Sequence, residues 1–227
     1  HAQSLFPAPM KTVAPMDLVQ EFYDQPSRRF RKDIFFQAFR EAISYSYSLL
    51  QEISGKKVLE IGCGSGKQAC YFAAQGAEVT GIDISLESLN AAERRAQAHN
   101  LSLSLQRMPA EELSFETGVF DIVYSNSVLM HVHQEKFFQE CSRVLKSGGQ
   151  LIIIEPLRYA PLVQLYRFFS SYQKMNPRYM TLQLFQKNKK YFSELHHREF
   201  YLFSPLFLPL FYFKKPGLHR WYRAIAK

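Results

Sequence analysis

Glu60 closes an apolar run, Val58-Leu59-Glu60-Ile61, and glycines follow at alternate positions, Gly62, Gly64 and Gly66. A second apolar run, Val79 to Ile82, ends in Asp83. Two carboxylates separated by a turn of bare backbone suit a ligand that is cationic at one end and a sugar diol at the other. A parallel α/β sheet presents nucleoside cofactors in this order, backbone first and ribose second.

The spacing discriminates between cofactors. A dinucleotide turn places glycine at its first, third and sixth positions. Counted from Gly62, the sixth position is Lys67. A carboxylate at Glu60 would also repel a diphosphate and attract an ammonium. The residues therefore favour a nucleoside bearing an amino-acid tail over NAD. Plainer roles exist for each. The glycines could serve only a tight strand-to-helix turn, and Asp83 could cap a helix, although Ser85 already suits that cap. Glu60 is harder to dismiss, because an unpaired charge at the end of an apolar strand is costly.

These residues need elements to hold them. Lys57 to Ile61, Glu78 to Asp83, Leu101 to Gln106, Phe120 to Ser125 and Gln150 to Glu155 read as strands, alternating with helices over 68–75, 85–98 and 134–146. Such alternation implies βαβ units. The expected fold is α/β: a Rossmann-like, doubly wound, mostly parallel sheet of six to seven strands with helices on both faces. Met16 to Gln51 adds an N-terminal helical cover, interrupted at Pro26. One domain is expected over 1–227, with a cap over 1–54, a cofactor-binding core over 55–156 and an extension over 157–227. In that extension Leu162 to Tyr172 and Lys190 to His197 read as helices, and Phe200 to Phe203 as β-prone.

Composition sets the outer limits. At 227 residues, 47% hydrophobic and 21% charged, the chain can bury a sizeable core and is not a disordered protein. Cys63, Cys70 and Cys141 lack the paired spacing of a zinc site, so no metal is expected, and reduced thiols suit a cytoplasmic location. His1 to Lys11 lacks the layout of a signal peptide, and no apolar run is long enough to span a membrane. The chain opens on His1 rather than methionine, as a piece of a longer gene product would.

Four blocks in order carry a resemblance: Val58 to Gly66, Gly81-Ile82-Asp83, Phe120 to Ser125, and Arg143 to Gly149. Over roughly residues 55–156 the chain resembles the class I S-adenosylmethionine-dependent methyltransferases, in particular the type 11 group. The resemblance implies S-adenosylmethionine as cofactor and S-adenosylhomocysteine as product. It places Glu60, Gly62, Cys63, Gly64 and Gly66 along the methionine end, Asp83 on the ribose hydroxyls and Ile84 on the adenine. Met108 to Leu113 looks like the adenine-contacting block. The family usually carries an acid before the alanine where this chain has Pro109, which leaves Ala110 and Glu111 as substitutes. Ser125 and Asn126 would close the pocket beside the sulfonium, and Tyr23 would cover the cofactor.

Methyl transfer from a sulfonium is an in-line displacement onto an O, N or C atom, and it needs mainly alignment. A base helps only where the acceptor must lose a proton. His131 is the candidate catalytic base; His133 and Glu155 lie near it in this reading. The acceptor is read as a small, hydrophobic molecule.

The C-terminal stretch differs from the rest. Residues 157–227 hold 13 of the 28 basic residues against Glu194 and Glu199 alone, a net +11, whereas 1–156 carry −3. They also hold 18 of the 34 aromatic residues. Residues 200–213 are almost wholly apolar, with prolines that forbid a continuous helix. Three readings stay open: a lid over a lipophilic acceptor, ordinary core, or a peripheral membrane contact through 198–223 with basic flanks on anionic head groups. Lysines and aromatics could also meet RNA, but no recognition motif accompanies them, so nucleic acid is not the favoured partner. A membrane-lipid or RNA methyltransferase, or a non-catalytic S-adenosylmethionine-binding protein, are the alternatives to a small-molecule enzyme. The oligomeric state is not written in the sequence.

Overall fold

The computed structural model describes residues 34–50, 52–155 and 180–198. The chain divides after Glu155 into two compact units.

In the first unit, β1 (Lys57–Ile61), β2 (Glu78–Asp83), β3 (Ser104–Arg107), β4 (Phe120–Asn126) and β5 (Leu145–Ile154) form one parallel sheet in the order β3-β2-β1-β4-β5. The described residues thus make five strands. Any sixth and seventh, expected beyond Pro156, fall outside them. Helices α1 (Ile34–Leu49), α2 (Lys67–Ala74), α3 (Leu86–Ala98) and α4 (Gln134–Val144) accompany the sheet.

Both faces of the sheet are covered, which is why β1 and β4 read as near-continuous apolar runs. On one face Val58, Val79, Ile122, Tyr124 and Ile152 join Ile43 and Tyr47 of α1 and Cys70, Tyr71 and Phe72 of α2 in a single buried cluster. Tyr47 stacks on Tyr71 with ring centroids 4.1 Å apart. The residues of opposite parity, Leu59, Ile61 and Val123, are equally inaccessible. The described end of the expected helical cover is therefore core: α1 lies on a sheet face through Ile43 and Tyr47. Residues 1–33 lie outside the described residues.

Helix ends follow the local chemistry. Ser85 caps α3 by accepting from Ser88 N–H at 3.2 Å. Gly76, at φ +85°, ends the turn after α2. α4 stops at Val144, two residues short of the sequence expectation. Leu145 already pairs with Phe120, and the Lys146–Gly149 excursion is a bulge within β5 rather than a separate stop. Gly149 is needed there, because a Cβ would lie 2.9 Å from the Lys146 carbonyl oxygen.

In the second unit the described residues form α5 (Leu182–Lys187), capped by Thr181, and a 3-10 turn over Asn188–Tyr191. The expected helix over 190–197 is not formed. Phe192 leaves the turn in an extended conformation, and 192–198 continue without helix. The 162–172 helix and the 200–203 strand lie outside the described residues, as does most of the basic, aromatic run.

Candidate functional site

Glu60, Asp83, Ser125 and Glu155 stand at the carboxyl ends of four adjacent strands or just beyond them, and the strand order reverses between β1 and β4. Open α/β sheets bind ligands in the crevice at such a reversal.

The glycine turn is stitched to β2 through backbone. Gly62 and Cys63 N–H both donate to the Ile82 carbonyl, at 2.8 and 2.9 Å. Gly64 N–H donates to Asp83 Oδ2 at 2.9 Å, and Ser85 N–H to Asp83 Oδ1 at 2.9 Å. All three turn glycines take left-handed φ values, +69°, +51° and +72°. Two are also forced by contact. A Cβ on Gly62 would sit 2.2 Å from a Val128 methyl, and one on Gly66 would sit 2.7 Å from the Ala92 Cβ. At Gly64 a Cβ would meet nothing within 4 Å. The turn is tight below and open above, the shape of a cradle.

Glu60 is 1% exposed. Burial pushes its carboxyl well above the usual range, against a hydrogen bond from the Ala69 N–H that pulls it down; Asp83 adds to the rise. Its Oε2 is buried with no hydrogen-bond partner. A buried orphan acceptor is expensive and calls for an explanation. An ammonium delivered to the mouth of the glycine turn supplies one.

Asp83 reaches the same turn from β2, and Ile84 beside it is 70% exposed, a large apolar side chain left bare. Arg107 Nε donates to the Ile84 carbonyl at 2.9 Å and fixes this segment. Ala110 is buried, and Glu111 Oε1 accepts the His133 N–H at 2.9 Å. Glu111 therefore already ties the adenine-block segment to the start of α4. Cys63 has a buried side chain that would lie 3.0 Å from a Cβ on Gly81, so its thiol packs between strands. Any contact it makes with a cofactor comes through its backbone. Tyr23 lies outside the described residues.

At the β4–β5 end, Ser125 Oγ is fully buried and also unpartnered. Asn126 Oδ1 accepts from Ser127 Oγ at 3.0 Å. His131 ends a 3-10 turn, Leu129–His131, with its side chain exposed. His133 is the N-cap of α4, accepting from Lys136 N–H at 3.4 Å. Glu155 Oε1 accepts the Leu129 N–H at 2.7 Å, while its Oε2 is buried without a partner. Burial raises this carboxyl to about 7, opposed by the Leu129 and Val128 N–H groups.

Val128 was not legible as a site residue. It is one apolar position in an apolar stretch, and only the bareness of Gly62 hints that something must approach it closely. Among the described residues no group of three or more His, Cys, Asp or Glu side chains could hold a metal ion, and no helix is long and apolar enough to cross a membrane.

A reversed strand order, a left-handed glycine cradle and carboxylates on either side define a nucleoside-cofactor site of the class I α/β kind. Residues 59–153 match the family model described as a methyltransferase domain, of the type 11 group. Over these residues the chain is similar to the S-adenosylmethionine-dependent methyltransferases of this group, whose cofactor the orphaned Glu60 oxygen and open cradle fit.

A ubiquinone biosynthesis O-methyltransferase of Psychrobacter cryohalolentis is 38% identical over 105 residues, 44% of this chain and 41% of that protein. A phthiotriol/phenolphthiotriol dimycocerosates methyltransferase of Mycobacterium ulcerans is 35% identical over 142 residues, 61% of this chain and 48% of that protein. The chain thus spans less than half the length of either relative. Among solved structures, YcgJ of Bacillus subtilis superposes with a TM-score of 0.57 at 23% identity, covering 66% of this chain and 68% of that one. Phosphoethanolamine N-methyltransferase 2 of Haemonchus contortus, solved with S-adenosyl-L-methionine, gives 0.58 at 23% identity, covering 67% and 36%. At these identities the structural likeness speaks for the fold.

Proposed function

We propose that the protein transfers a methyl group from S-adenosylmethionine to an O, N or C atom of a small, lipophilic molecule. The observation that carries this reading is the pairing, across one glycine cradle, of the orphaned Glu60 Oε2 with the Asp83 carboxylate at the next strand's end. Glu60 would receive the ammonium and Asp83 the ribose diol, through lone pairs left over from Gly64 and Ser85. Ile84 would carry the adenine face, Ala110 and Glu111 its edge, and Ser125 the wall beside the sulfonium. The bound cofactor supplies an already activated methyl group, so the chain must align the acceptor and exclude water. His131 and Glu155 are the ionisable side chains on the acceptor side.

Two relatives named for ubiquinone biosynthesis and for phthiotriol dimycocerosates support a lipophilic acceptor. Peripheral membrane contact through 198–223 suits such an acceptor and is testable by liposome flotation. Titration calorimetry should show S-adenosylmethionine binding and no NAD binding, with Asp83→Ala losing at least tenfold in affinity. Tight NAD binding would end the assignment. Unchanged affinity in Asp83→Ala would remove its ribose role.

A further inference from the structure

We infer that Glu155 is the group that takes the proton from the methyl acceptor, and that the acceptor is therefore a hydroxyl compound or another nucleophile that must lose hydrogen. This rests on the methyltransferase reading above. It goes further by naming a base and the class of acceptor that requires one.

The crevice at the strand ends has two halves. The β1–β2 half is committed to the cofactor by the glycine turn, Glu60 and Asp83. The acceptor is left the β4–β5 half, where Ser125, Asn126 and Glu155 end or follow the strands. Most polar groups there are already engaged. Asn126 Oδ1 holds Ser127, His133 caps α4, and Glu111 holds the His133 N–H. His131 is exposed to water on its 3-10 turn.

Glu155 differs from all of these. One oxygen is fixed by the Leu129 N–H at 2.7 Å, across 26 residues of chain, the Val128 N–H also acts on the carboxyl, and the other oxygen is buried without a hydrogen-bond partner. The fixed oxygen orients the carboxyl and the free one awaits a donor. The same logic assigns an ammonium to Glu60 in the other half. Burial also brings the Glu155 carboxyl to about 7, where a general base works best near neutrality.

The step balances without a further reagent. As the acceptor oxygen bonds to the methyl carbon, its hydrogen passes to Glu155 Oε2. The carbon–sulfur bond breaks with its electron pair kept by sulfur, leaving a neutral thioether and a protonated Glu155 that returns its proton to solvent.

Glu155→Gln retains an oxygen for the Leu129 N–H and removes the basicity. With a panel of 4-alkylcatechols and 4-alkylphenols as acceptors, this variant should lose at least about 100-fold in kcat. Its acceptor KM and its calorimetric affinity for S-adenosylmethionine should stay within about threefold of wild type. The acidic limb of the wild-type kcat profile, near pH 7, should vanish in Glu155→Gln and persist in His131→Asn. Independently of turnover, carbon-13 NMR of the cofactor-free protein should show a glutamate carboxyl titrating near 7 that is missing from the variant. If Glu155→Gln melts, Glu155→Asp should still lower kcat on the order of 10- to 100-fold while keeping the limb.

A limb that survives Glu155→Gln and disappears in His131→Asn would move the base to His131. Failure of every phenol and catechol, with cofactor still bound, would remove the hydroxyl acceptor and the need for a base. Failure to bind S-adenosylmethionine at all would instead overturn the methyltransferase reading beneath it.

Discussion

The two halves of the strand-end crevice are built in different ways. The cofactor half is short-range and made mostly of backbone: Gly62 and Cys63 N–H donate to the Ile82 carbonyl, and Gly64 N–H donates to the Asp83 carboxylate, all within residues 60–85. The acceptor half is held at long range by a side chain: Glu155 accepts the Leu129 N–H across 26 residues of chain. Bonds between backbone groups do not titrate, so the Gly62 and Cys63 contacts with Ile82 hold at any ordinary pH. The acceptor half depends on the Glu155 carboxyl, which gains or loses its proton near neutrality. On the proposed function, the molecule would combine a more rigid receptor for a constant cofactor with an adjustable wall for a particular acceptor.

The cofactor half should be the easier one to break by adding a single carbon. Gly66→Ala places a Cβ 2.7 Å from Ala92 Cβ and 3.0 Å from its Cα, at a φ of +72°. Left-handed strain and overpacking together should cost about 4 kcal/mol in denaturant unfolding, with cofactor affinity lost. Gly64→Ala meets no atom within 4 Å and should cost only about 1 kcal/mol of backbone strain. Equal losses at the two positions would mean that contact with α3 is not what holds the turn.

The acceptor half should be broken by pH instead. The folded-state pKa of Glu155 is raised from 4.5 to about 7. The folded protein therefore holds more protons than the unfolded chain between those values. Its contribution to stability is fully present below about 4.5 and is lost as pH rises through 7. The size is about 3 kcal/mol. Urea midpoints of the cofactor-free protein from pH 5 to 8 should fall accordingly, and Glu155→Gln should flatten the slope. Asp121 and Glu140, lowered chiefly by Lys146 and Arg143, act in the opposite sense but only at more acid pH.

Glu60 sharpens the contrast, a buried titratable group inside the more rigid half. Its folded pKa is also raised, so its contribution to stability likewise fades as pH rises. Glu60→Gln should stabilise the cofactor-free protein at pH 8 and weaken S-adenosylmethionine by roughly 10- to 100-fold, the worth of a charged hydrogen bond. In wild type, the ammonium should drive a proton off Glu60. Calorimetry in buffers of different ionisation enthalpy should then show proton release, and affinity should rise with pH until Glu60 is ionised in the free protein.

The same division governs what could be read from the residues alone. The β1 and β2 strands, the glycine turn and the Ser85 cap were legible because each depends on neighbours within a few positions. The Cys63 thiol was not, since its burial follows from Gly81 on another strand. Nor was α1 as a packed face, which follows from the stacking of Tyr47 on Tyr71. The 190–197 helix failed as an expectation because the sequence admits a 3-10 turn at Asn188–Tyr191 and an extended Phe192. The proposal of Glu155 rather than His131 as the base rests on burial and hydrogen bonding, quantities that spacing does not carry.

Ile84 offers the smallest and cleanest test of the rigid half. Its side chain is 70% exposed, so Ile84→Ala removes little that folding buries and should shift the unfolding free energy by no more than about 0.5 kcal/mol. If adenine rests on it, the same change removes apolar contact formed only in the complex, worth about 1 kcal/mol, or roughly fivefold in S-adenosylmethionine affinity. Leu86, also exposed at 57%, opens α3 two residues later and supplies the comparison. Weakening at Ile84 alone would set the adenine beside the β2 end. Equal weakening at both would spread the platform onto the helix, and no change at either would mean that the ring is held from the Ala110–Glu111 side.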